Sequence, residues 1–72
     1  SNIAEGSGRE TTRDLLNFLS MSRGSLRETQ SLLIMSQRLH YITEGELEAA
    51  FGRSNDAIRL MGRLRASLST RL

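Results

Sequence analysis

Apolar residues along the first half of the chain fall at helical spacing. Leu15, Leu19, Leu26 and Leu33 lie on one stripe, with Ser22, Thr29 and Ser36 filling the alternate places, so residues 11–40 are predicted to form one long helix with a thin apolar face. About 30 residues at the helical rise make a rod roughly 45 Å long, which the rest of the chain can cover only by returning as a second helix. The second half carries the pattern for this: Leu47, Phe51, Ile58, Met61, Leu64 and Leu68 share a stripe of the same period. Between the halves, Thr43 and Glu46 have the spacing of a capping box, and Ile42 and Leu47 that of a hydrophobic staple, which places the reversal at 41–43. The fold class expected is all-α, a long antiparallel hairpin.

Finer boundaries follow from small residues. Asn2, Ile3, Ala4 and Glu5 could close a helical turn at Gly6, with Gly8 loosening the connection, so 1–9 reads as the end of a preceding helix and a linker. Thr11 then caps a helix over 10–41, with Asp14 as its capping-box partner and Glu10 also suited to the positive end of the dipole. The returning helix spans 43–71. Gly24, within Ser22-Arg23-Gly24-Ser25, interrupts the first helix with small residues, an expected place of close approach for another helix. Apolar positions lie outside the seam as well: Met21, Leu32 and Leu39 on one flank of the first helix, Leu16 and Ile34 on the other, and Leu60 on the second helix. Further helices, from other copies or other chain, are expected to cover them.

Composition narrows the function. A chain of 72 residues without cysteine has no disulfide or thiolate metal site to support a small core, and its lone His40 cannot assemble a zinc site. No cofactor is expected. The longest apolar run, Leu32-Leu33-Ile34-Met35, is far below the roughly 20 residues that span a bilayer, and no signal-like segment opens the chain, so no membrane partner and a cytoplasmic location are expected. The segment Gly6-Ser7-Gly8-Arg9 lacks the lysine and spacing of a phosphate loop. His40 and Tyr41 are adjacent, hence about 100° apart on a helix, and no di-iron Glu-x-x-His motif exists, so the protein is not expected to be an enzyme. All ten basic residues are arginine and the net charge is +2. Genomic base composition and selection for a planar fork that pairs with phosphate both account for that choice, and composition does not separate them.

The run Asn2-Ile3-Ala4-Glu5-Gly6-Ser7-Gly8-Arg9, then Phe18-Leu19, Arg23-Gly24-Ser25-Leu26-Arg27-Glu28, Leu32-Leu33 and Arg38-Leu39-His40-Tyr41-Ile42, resembles the bacterial four-helix-bundle family that includes the 23S rRNA intervening-sequence proteins. The resemblance covers the whole chain. It implies that 1–6 ends the second helix of a four-helix bundle, that the long rod is the third helix and the returning rod the fourth. The chain would then be the C-terminal part of a bundle lacking its N-terminal helices. It further implies ring-like homo-oligomers, possible pentamers among them, and a kinship with accessory proteins of retroelements that work with nucleic acid and a reverse transcriptase.

Two sets of candidate residues result. Arg13, Arg23, Arg27 and Arg38 fall within a quarter of the helical wheel, and Arg59 and Arg63 form a one-turn pair on the returning helix. These six are candidate contacts to RNA or DNA phosphates; without interleaved aromatic residues, base stacking is not suggested. Asn2, Glu5, Gly6, Arg9, Gly24, Ser25 and Glu28 carry the family motif and are read as structural, with Glu5 or Glu28 accepting hydrogen bonds where helices cross. The function expected is a non-catalytic, self-associating bundle protein that contacts nucleic acid. The alternative is a scaffold that binds another protein through the Gly24–Glu28 region or an exposed Leu16 and Ile34. No small-molecule substrate is evident.

Overall fold

The computed structural model describes residues 2–72, with side chains from Gly8 onward; Ser1 and the side chains of Asn2, Glu5 and Gly6, among the motif residues, lie outside it. Two helices, α1 (Asn2–Arg38) and α2 (Glu44–Ser69), fold back on each other as an antiparallel hairpin about 55 Å long and 15 Å across, and no strand occurs among the described residues. Because α1 has 37 residues and α2 has 26, the beginning of α1 extends past the end of α2.

The helical break expected at Gly6 and Gly8 does not occur; α1 runs through both. Each glycine costs a helix about 1 kcal/mol, but stopping and starting again requires a second costly nucleation. Thr11 is accordingly an interior helical residue and not an N-cap, while its neighbour Thr12 donates its hydroxyl to the Gly8 carbonyl at 2.7 Å.

At the other end α1 stops at Arg38, short of the expected 41, because His40 adopts a left-handed conformation with φ of 64°. The His40 amide donates to Gln37 O and the Tyr41 amide to Ser36 O, each at 2.9 Å, the paired bonds of a Schellman motif. Leu39 to Ile42 make the turn. Thr43 then caps α2 as its sequence requires: the Glu46 amide donates to Thr43 Oγ1 and the Thr43 amide to Glu46 Oε1, both at 3.0 Å.

The seam is rotated from its expected place. Facing α2 are Thr12, Leu16, Leu19, Arg23, Leu26, Gln30, Leu33 and Gln37, all buried or half-buried and alternating four and three residues apart as in a coiled coil. Leu19, Leu26 and Leu33 belong to it as expected, but Leu15 is exposed and Thr29 with it. On α2 the seam is Leu47, Phe51, Ser54, Ile58, Met61, Arg65 and Leu68, with Leu64 turned out and Arg65 exposed near the helix end. The physical reason lies at mid-seam. Gln30, 5% exposed, donates Nε2 to Ser54 Oγ at 2.8 Å and Asn55 Oδ1 at 2.7 Å, and Ser54 donates onward to Phe51 O. A polar group in this position fixes register because any slip leaves it unpaired. It sets residue 30 level with 54 and 55, hence Leu26 near Ile58 and Leu16 near Ser69.

Candidate nucleic-acid interface

Rotation of the seam gives the hairpin two unlike sides. On one, the stripe Thr11, Leu15, Phe18, Ser22, Ser25, Thr29, Leu32 and Ser36 runs along α1 and on to Leu39 in the turn without a charge. Phe18 is 66% exposed and Leu32 58%, and the hydroxyls of Thr29 and Ser36 donate back to the Ser25 and Leu32 carbonyls, which spends their polarity within the helix. Ser25 is exposed among them. Leu60 and Leu64, both exposed, stand on the α2 flank of the same side, between Arg53 and Arg71. Glu28 is exposed on the outward back of α1, without a hydrogen bond across helices.

Arginines define the opposite side. Arg9, Arg13, Arg27 and Arg38 are exposed along one flank of α1. Arg23, expected in the same stripe, is instead half-buried at the seam. Together with Leu16, Gly62, Arg65, Ala66, Ser69 and Leu72 it lines an open groove of about 430 Å³. The groove shows which flanks of the two helices share a side: Gly62, Ala66 and Ser69 lie on the arginine side, about 160° around α2 from Leu60 and Leu64. Arg59 is on this side too, paired with Asp56, and Arg63 is exposed one turn further on.

The structure therefore brings together Arg13, Arg23, Arg27 and Arg59, with Arg63 at the margin. Arg38 stands apart at the turn end, where Glu44, Glu46 and Glu48 begin α2. Arg65 was missed by sequence reasoning; its place between Met61 and Leu68 is a seam position, visible only once the seam is known. Among the described residues the Arg59–Asp56 pair is the only salt bridge. Leu16, in the seam, and Ile34, beside it, are half-buried and do not form an exposed protein-binding pair. Gly24 faces open space, where an added Cβ would meet nothing within 4 Å, so nothing among the described residues packs against it.

No group of three or more metal-ligating side chains occurs among the described residues, and none of the described helices is long and apolar enough to cross a membrane. What the geometry defines is an all-helical hairpin with an uncharged stripe along one flank of α1, arginines along the other flank and a seam that is polar at its centre. The sequence profile described as 23S rRNA-intervening sequence protein matches residues 1–63, and the chain belongs to that family. Membership is consistent with a non-catalytic role. No curated protein and no solved structure matches the chain.

Proposed function

We propose that the protein is a non-catalytic, self-associating component of a four-helix bundle that contacts the phosphate backbone of RNA or DNA through its arginine side. The observation that carries this reading is the grouping of arginines along one flank of α1 and the groove beside it. Arg9, Arg13, Arg23, Arg27 and Arg65 lack carboxylate partners among the described residues and share one side, whereas a nine-residue stripe on the other side holds no charge. Unpaired guanidinium groups on one surface attract phosphate irrespective of base sequence, and local patches govern such attraction more than the net charge of +2. Self-association, in a ring of five or another number, would repeat the patch around an assembly.

The uncharged stripe supports the assembly half of the proposal. Among the described residues only Leu19 and Ile58 are buried apolar side chains, too small a core for an isolated hairpin, and ten large apolar side chains are exposed. The same stripe favours the second reading, a scaffold that docks another protein, in which the arginines serve solubility in the cytoplasm. Binding of the intact protein to mixed-sequence RNA and duplex DNA at about 50 mM salt separates the two. Binding that weakens when Arg23 and Arg27 become Gln supports the nucleic-acid reading. No binding, or binding indifferent to both substitutions, gives the case to the scaffold.

A further inference from the structure

We propose that Arg23 and Arg65 form a two-armed clamp for a single phosphate group in the groove at the open end of the hairpin. Both arginines occupy seam positions, where an antiparallel coiled coil ordinarily places apolar side chains. They come from opposite helices, line the same groove, and have no carboxylate within salt-bridge distance among the described residues. Two cations lining one open groove repel each other, and an anion between them is attracted by both at once. The groove has the room. Gly62 and Ala66 place no long side chain in it, while Leu16 and Leu72 supply apolar walls.

A tetrahedral oxyanion has oxygens enough to engage both guanidinium groups at once. Each guanidinium offers a rigid fork of N–H donors suited to two oxygens of one phosphate. The Ser69 hydroxyl donates to Ala66 O at 2.9 Å, so its proton is engaged and the arginines provide the donors. The groove is open and lies on the side that carries Arg13, Arg27 and Arg59, so a phosphodiester can enter as part of a longer strand. That source, though not the phosphate chemistry, rests on the nucleic-acid reading above.

The test titrates the intact protein with inorganic phosphate at constant ionic strength, following the backbone amides of Gly62 and Ser69 by NMR, and repeats it with Arg65→Gln, Arg65→Lys and the opposite-side control Arg53→Gln. Saturable shifts at Gly62 and Ser69 are expected in the wild type and the control, with apparent affinity at least tenfold weaker in Arg65→Gln and intermediate in Arg65→Lys. Helix content by circular dichroism confirms that each variant is folded. Linear, non-saturating shifts, or identical titrations in wild type and Arg65→Gln, overturn the clamp. A second arm offers a short DNA duplex. If phosphate saturates and the duplex does not bind, the clamp holds and the nucleic-acid reading fails; if the duplex binds but Arg65→Gln leaves the phosphate titration unchanged, the clamp fails and that reading stands.

Discussion

His40 sits in the left-handed region, a conformation that costs a residue with a side chain roughly 1–2 kcal/mol and glycine almost nothing. Replacing His40 with Gly is expected to stabilise the hairpin by up to about 1 kcal/mol, the gain being reduced by glycine's greater freedom in the unfolded chain. A urea melt measures it. Gln30 should behave oppositely: Gln30→Ala leaves Ser54 and Asn55 without their cross-helix partner and is expected to cost about 1–3 kcal/mol by the same measurement. How far such positions can be read in advance depends on where their partners lie. The Thr43 box was legible because both members are three residues apart, whereas the bond from Gln30 to Ser54 spans 24 residues and appears only when the helices meet.

Both helices and the reversal between them are written in the periodicity, but the side of α1 that meets α2 is not. Two neighbouring stripes of α1 are similarly rich in leucine, one through Leu15 and Leu32 and one through Leu16 and Leu19, and counting apolar residues cannot choose between them. Gln30 and the residues opposite it make the choice. For the same reason the arginine side was only partly legible: Arg13 and Arg27 lie where the wheel puts them, but the role of Arg65 depends on the seam. Gly24 offers a test of what else packs on α1. In the hairpin its Cβ position is open, so Gly24→Ala is expected to stabilise by about 1 kcal/mol as an exposed helical site. A loss of stability or of assembly would instead mean that another helix lies against it.

As a molecule the hairpin is a rod with a thin core, and the self-association proposed above would use the uncharged stripe of α1. Charge placed on the uncharged stripe should interfere with that assembly and leave the arginine side intact. Leu15→Glu with Leu32→Glu is therefore expected to reduce the sedimenting mass of the oligomer while circular dichroism still reports helix. An unchanged mass would assign assembly to another surface. The arginine side is tested most directly by the salt dependence of DNA binding, measured for the intact protein and for Arg23→Gln with Arg27→Gln. The wild-type logarithmic affinity should fall steeply with the logarithm of salt concentration, and the double substitution should flatten the slope by about 0.9 for each phosphate that is no longer neutralised, with helix content retained by circular dichroism. A slope near zero in the wild type, or the same slope in both proteins, would contradict backbone recognition by these arginines.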